Sequence, residues 1–255
     1  MASPFFIVGC VRSGTTMLRN LLRGVPNLVS PEETHYYRWG DPFGAPAFQN
    51  AVVKNQLMKK HREMDGVSEE AFADVFGGAR SRRELYERYM AAFKEAKGMP
   101  DARWFDKTPQ NIYGLAMIAH DFPDAKIVHI VRNPVNVVSS LAEGRVIAMA
   151  NTVAASNYWT EALSIFNAIR PAIAGRTYEL SYERLTADPR PEFAKLLAFL
   201  GEDPAIEVDV SKIHPERDRY RQILKPEDIE VVREICTPWA IRYGYDLSQA
   251  VVPAA

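Results

Sequence analysis

Cysteine is nearly absent. Cys10 and Cys236 are the only two in 255 residues, which excludes a disulfide framework and a cysteine-based metal cluster. No apolar run approaches the ~18 residues of a membrane-spanning helix. The N-terminus enters an apolar segment almost at once. It shows no basic stretch followed by an apolar stretch and a cleavage site, so the expectation is a cytoplasmic protein with no membrane span. Charge of one sign is lacking too: 31 Lys and Arg stand against 32 Asp and Glu, for a net charge of −1. The whole-molecule field therefore predicts no nucleic-acid partner. There is no internal repeat and no low-complexity segment. What is present is ordinary, 47% hydrophobic and 25% charged. That suffices for one buried core, and the chain reads as a single domain over residues 1–255. Oligomeric state leaves no mark on the sequence.

The most telling absence is one lysine. Phe5 to Val8 is an apolar run that reads as a buried strand continuing to Cys10. Gly9 and Gly14 stand at the spacing of the two glycines in a P-loop, G-x-x-x-x-G-K-[ST]. The next residue should be Lys and is Thr15. That Lys reaches the β- and γ-phosphates, and the following Ser or Thr holds Mg²⁺. A loop without it is poorly suited to cleaving a nucleoside triphosphate. Backbone N–H groups at a helix N-terminus still hold a phosphate. Arg12, Ser13, Gly14, Thr15 and Thr16 add a guanidinium and three hydroxyls, all donors for a phosphate or sulfate anion. The plain alternative is a tight strand-to-helix turn capped by Ser13.

Strand and helix signals alternate. Strands are expected at Phe5–Cys10, Arg103–Lys107, Lys126–Val131 and Thr177–Ser181. Helices are expected at Thr15–Arg23, Asn111–His120, Val135–Leu141 and Glu227–Tyr243. This predicts an α/β fold, P-loop NTPase-like, with a central mainly parallel sheet flanked by helices. Ligands of such sheets sit at the carboxyl ends of the strands, so the loops after Cys10, Phe105, Val131 and Ser181 should converge. Gln49–Arg62 and Ser81–Lys97 read as further helices, the second opened by a capping box, Ser81…Glu84. They form a helical insert, about residues 40–98, expected as a lid or wall for an acceptor. Val251–Ala255 reads as a frayed tail. A second donor set follows the Lys126–Val131 strand: Arg132-Asn133-Pro134, then Ser139-Ser140. Ser140 falls about two turns into the next helix. Such a pair could grip a second phosphate, or be a strand-end Arg and helix-surface serines.

Together the two sets match something specific. Arg12–Thr16 resembles the 5′-phosphosulfate loop of the sulfotransferases, and Arg132…Ser140 resembles their 3′-phosphate motif. These enzymes use 3′-phosphoadenosine 5′-phosphosulfate (PAPS) and release 3′-phosphoadenosine 5′-phosphate (PAP). The resemblance accounts for the missing Lys, because the donor has no γ-phosphate and the family needs no metal. Glu32-Glu33-Thr34 is similar to the acidic motif of the protein-tyrosine and glycan branch, which implies Glu33 as general base. Asp106-Lys107-Thr108-Pro109 is similar to the Lys-containing loop, which implies that Lys107, with Arg12, stabilises the transferring group. Tyr182 and Lys225 look like later nucleotide contacts, and Ser211 is a weaker match. The similarity runs from about Phe5 to Tyr245. Val11 departs from it, standing where many members have Pro, and the insert matches nothing.

Several residues stay open. Glu32 could exchange roles with Glu33, and His35 is a rival base because imidazole titrates near neutrality. His35, Tyr36, Tyr37, Trp39 and Phe43 are candidates to contact an acceptor, or equally core for the insert. His129 interrupts an apolar strand and reads as a core histidine. Asn157-Tyr158-Trp159 reads as part of a packing helix. Basic residues on the insert's helices read as a solvated face or as a rim for an anionic acceptor. Two other functions are weighed: a nucleotide kinase or ATPase with a degenerate loop, and a catalytically inactive nucleotide-binding homologue. The first needs a Lys after Gly14 and an Mg²⁺-holding Asp after a strand, but Thr15 follows Gly14 and the Lys126–Val131 strand ends in Arg132. The acceptor, a hydroxyl or amine on a glycan or small molecule, or a peptide tyrosine, is not specified.

Overall fold

The computed structural model describes residues 3–144 and 149–250, and the expected tail at 251–255 lies outside them. Five strands, β1 (Phe5–Gly9), β2 (Leu28–Val29), β3 (Arg103–Lys107), β4 (Lys126–Val131) and β5 (Thr177–Ser181), form one sheet in the order β2-β3-β1-β4-β5. Every neighbouring pair is parallel. All five residues of β1 are buried. Phe6 and Val8 face one layer, and Phe5 and Ile7 face the other. That is the period of two expected when both faces are covered, and it explains why β1 reads as an unbroken apolar run.

Helices cover both faces: α1 (Thr15–Leu22), α2 (Pro46–Gln49), α3 (Gln56–Asp65), α4 (Glu69–Gly77), α5 (Arg82–Ala96), α6 (Leu115–Asp121), α7 (Pro134–Ala142), α8 (Thr152–Ile173), α9 (Tyr182–Ala187), α10 (Pro189–Leu200), α11 (Tyr220–Ile223) and α12 (Pro226–Arg242). Leu18 and Leu22 of α1, Leu185 of α9 and Leu196 of α10 bury with Phe5 and Ile7. The α5–α8 and α12 side chains bury with Phe6 and Val8. No described helix is long and apolar enough to cross a membrane.

The insert packs as a wall of the sheet. Tyr86 of α5 meets the Phe6 ring edge-on at 5.7 Å and stacks on Trp104 at 5.9 Å. The continuous helix expected over Gln49–Arg62 is broken. A π-turn spans Asn50–Lys54, and extended Asn55 then caps α3 by accepting from Leu57 and Met58 N–H. Asn is a strong N-cap, and its amide outcompeted the helical pattern there. Two residues of β2 are too short a run to show a period. The α8 helix extends far beyond the Asn157–Trp159 fragment anticipated.

The chain leaves β1 toward β3's side and later hops across β1 from β3 to β4. The direction of winding therefore reverses at β1, and the crevice beyond its carboxyl end is the place where such sheets bind ligands.

Candidate functional site

The loop leaving β1 is shaped by contacts that only glycine permits. Gly9 has φ +152°, and a Cβ there would lie 2.5 Å from the Ile130 carbonyl oxygen of β4. Gly14 has φ +88°, and a Cβ there would lie 2.3 Å from the Tyr182 ring. The two glycines thus serve different neighbours, one a strand backbone and the other an aromatic ring. Between them Arg12 adopts φ +67°, a conformation that costs a non-glycine residue on the order of 1 kcal/mol and clusters at functional sites. Gly14 is the N-cap of α1, with no side-chain cap and no acidic residue in the first turn. The first-turn N–H groups and the helix dipole are left for an anion. Ser13 is fully buried and its Oγ has no hydrogen-bond partner. An orphaned buried hydroxyl beside uncapped N–H groups suits a phosphate-bearing ligand. Thr15 is buried, and Thr16 is exposed on the crevice side.

The second donor set meets the first. Arg12 Nε donates to Ser140 Oγ of α7 at 2.8 Å, and Arg132 Nη1 donates to the Arg12 carbonyl at 2.8 Å. The Arg132 guanidinium lies 4.4 Å over the Tyr182 ring. It is also paired with Glu216, Nε to Oε2 at 2.7 Å. Tyr182 therefore packs on both Gly14 and Arg132, which ties the two sets into one cluster. Among the described residues, Ser211 and Lys225 contact neither donor set. Ser211 is exposed, its N–H held by Asp209. Lys225 is exposed at the N-cap of α12, its N–H held by Asp228.

The acidic motif lies across the crevice. Lys107, 2% exposed, donates from Nζ to Glu33 Oε1 and reaches Thr16 Oγ1 at 3.3 Å. Burial, ahead of the opposing pull of Glu33, lowers the Lys107 pKa. Glu33 stays about one-quarter exposed. Glu32 is engaged elsewhere. It is paired with Arg19 at 2.7 Å and Arg23 at 3.3 Å. Its pKa is lowered because these arginines outweigh the opposing effect of burial. Glu32 is thus held by two arginines, and Glu33 by Lys107. His35 is a poor rival as base. It is buried, and desolvation first, then the charges of Arg38, His61 and Lys107, brings its pKa down to about 3. Its Nε2 lies 3.4 Å from Glu33 Oε2.

Tyr36 and Tyr37 require a correction: they are core, not crevice. Both are at most 2% exposed, and their rings pack on Tyr86. Trp39 and Phe43 are half-buried against the same core. His129 is fully buried and stacked on Phe166 at 3.7 Å, as expected of a core histidine.

A polar knot that sequence reasoning missed joins the Glu33 loop to the Lys107 loop. Thr34 N–H donates to Thr108 Oγ1 at 3.0 Å. Thr34 Oγ1 and Thr108 Oγ1 both donate to Asp106 Oδ2, and Asn111 Nδ2 donates to Asp106 Oδ1. Burial pushes the Asp106 carboxyl up to about 6 against these donors. The signal was present in the sequence only as polar residues beside the two motifs. Among the described residues, no group of three His, Cys, Asp or Glu side chains could hold a metal ion.

The geometry has counterparts. The chain is 27% identical over 221 residues to nodulation protein NoeE of Sinorhizobium fredii, covering 78% of this chain and 50% of that protein. It is 26% identical over 234 residues to an uncharacterized protein of Aquifex aeolicus, covering 87% of this chain and 29% of that protein. The chain thus spans half or less of the length of these relatives. It shares its fold with a sulfotransferase domain from the curacin biosynthetic pathway, at TM-score 0.63 and 18% identity over 99% of both chains. A mouse sulfotransferase complexed with PAP shares it at TM-score 0.51 and 16% identity, over 93% of this chain and 84% of that one. The sulfotransferase family model matches residues 4–205, and the chain belongs to that family.

Proposed function

We propose that this protein is a PAPS-dependent sulfotransferase, with Glu33 as general base and Lys107 and Arg12 stabilising the group in transfer. The observation that carries the reading is the 2.8 Å bond from Arg12 to Ser140, which makes one cluster of two donor sets distant in sequence. When bound, PAPS supplies the sulfuryl group, and PAP is the product. Arg12, Ser13, Gly14, Thr15 and Thr16 would hold the 5′ side, while Arg132 and Ser140 hold the 3′-phosphate with Tyr182 packed behind them. Glu33 takes the proton of the acceptor hydroxyl as its oxygen bonds to sulfur and the sulfur–phosphate oxygen bond breaks. Lys107 sits between Glu33 and Thr16, where its ammonium faces both proton transfer and leaving-group charge. Catalysis by positioning and charge stabilisation is what such a transfer requires, and the reading needs no metal ion.

Sulfate transfer from radiolabelled PAPS tests it. PAP is expected to bind without Mg²⁺ and more tightly than ATP with Mg²⁺. Tighter ATP binding would sink the reading, and full activity in a folded Glu33→Ala variant would remove Glu33 as base.

A further inference from the structure

Arg38 is a half-buried cation without an anion. Among the described residues no hydrogen bond or ion pair is recorded for its guanidinium, which lies 5.3 Å from the Trp39 ring. A cation–π contact engages the face of the guanidinium and leaves its five N–H donors unmatched. Arg38 stands on the same loop as Glu33, and Trp39 is 5.8 Å from the His35 ring that touches Glu33 Oε2.

A second wall faces this loop. The turn after β3, Pro109–Gly114, presents Gln110 and Tyr113, and α8 presents Tyr158. Gln110 Nε2 donates to the Tyr158 hydroxyl at 3.0 Å, and the Tyr113 and Tyr158 rings lie 6.0 Å apart. Tyr113 is 36% exposed. The walls are pressed together at one point. A Cβ on Gly114 would lie 2.1 Å from the Tyr37 carbonyl oxygen, and Tyr37 N–H donates to Asn111. Arg38 and Tyr113 each follow or precede one side of that contact. Burial raises both phenols, and the Arg38 charge opposes that rise in each. Glu33 acts on the Tyr158 phenol in the opposite sense. Trp39 and His35 connect Arg38 to Glu33 on one side, and the Tyr37–Gly114 contact sets Arg38 beside the Tyr113–Tyr158 wall on the other.

We propose that Arg38, Tyr113 and Tyr158 form the acceptor site, and that it takes a hydroxyl compound with a flat ring and an anionic oxygen group beside that ring. The tyrosine rings offer a face for stacking, and the unpaired fork of Arg38 matches a carboxylate, phosphate or sulfate. The proposal rests on the reading of Glu33 as base.

Matched acceptor pairs test it: 4-hydroxyphenylacetate against its methylamide, and 4-hydroxyphenyl phosphate against phenol. Each is incubated with PAPS, and the product is read by mass spectrometry. The anionic member of at least one pair is expected to show at least tenfold higher kcat/KM. Arg38→Gln is expected to cut that ratio at least tenfold, Arg38→Lys to restore part of it, and PAP affinity to change less than threefold. Neutral members favoured in every pair, or a ratio unchanged in Arg38→Gln, would overturn the proposal. So would PAP affinity falling with Arg38→Gln, which would move Arg38 to the donor side. No turnover of any pair by a protein that still binds PAP would reject this acceptor class and leave the donor reading standing. Failure to bind PAP would reject the donor reading itself.

Discussion

On the proposed donor side of the crevice, Arg12 to Thr16 are five consecutive residues on one strand-to-helix turn flanked by Gly9 and Gly14. On the other side, Glu33 on a loop and Lys107 at the end of β3 are 74 residues apart and meet beside a knot of Thr34, Thr108, Asn111 and Asp106. A local turn can be rebuilt from its own backbone preferences, whereas a crossed pair of loops depends on every buried partner. The donor side should therefore tolerate damage to the acceptor side, but not the reverse, because Lys107 also leans on Thr16.

The largest effect should separate the two sides most sharply. Lys107→Ala removes a buried donor aimed at the crevice and leaves Glu33 without its partner. Loss of one preorganised donor typically costs about 10²–10³ in kcat. PAP affinity, measured by calorimetry, is expected to stay within about threefold. If PAP binding collapses together with kcat, the sides are one unit and the comparison breaks.

Gly14→Ala attacks the donor side alone. A left-handed alanine costs roughly 1–2 kcal/mol, and its Cβ would also strike Tyr182. PAP affinity should fall at least about tenfold. Tyr182→Ala in the same chain should recover only part of this, since it removes the clash and leaves the backbone strain. Full recovery would show that the ring, not φ, imposes the glycine.

What was legible in the sequence follows the same division. β1, its turn and α1 announced themselves because strand, glycine spacing and donors are contiguous and each is local chemistry. Arg132 and Ser140 were legible because a strand and a helix fix their separation. The Asp106 knot was not, because each member is an ordinary polar residue until the fold stacks β3 beside the Glu33 loop. Tyr36 and Tyr37 stay open for a related reason. Aromatics next to an acidic motif read equally as ligand contacts or as core, and only the fold shows α5 bringing Tyr86 against them and closing them into the core. Tyr158 reads only as part of a packing helix and Tyr113 draws no reading at all, because neither lies within the motifs around Glu33 and Lys107.

Asp106→Asn probes the knot, with a smaller expected effect. The folded carboxyl is pushed up to about 6 from an ordinary 3.8. The fold thus retains a proton that the unfolded chain releases between about pH 4 and 6. This group's contribution to stability falls as pH rises through that window. The variant should show a flatter melting temperature across pH 4–6 than the parent. Asn also replaces one acceptor oxygen with a donor, so kcat should drop roughly tenfold, in line with the 1–3 kcal/mol of a broken buried network. PAP affinity should not move. A knot that serves stability alone would change the melting curve and leave kcat intact.

The smallest effect concerns Glu216, which sharpens the account of the donor side. Its carboxylate pairs with Arg132 through Nε at 2.7 Å and Nη2 at 2.5 Å, and both side chains are about 15% exposed. If Arg132 holds the 3′-phosphate, that phosphate and Glu216 compete for the same guanidinium face. A partly exposed pair of this kind is worth up to about 1 kcal/mol. Glu216→Gln removes the charge while keeping the shape, so PAP should bind about twofold to fivefold more tightly. Adenosine 5′-phosphate, which lacks the 3′ group, should gain nothing. Equal gains for both ligands would mean that Glu216 repels the nucleotide from a distance. A loss of PAP affinity would mean that Glu216 orients Arg132, and that the ion pair belongs to the bound site instead of opposing it.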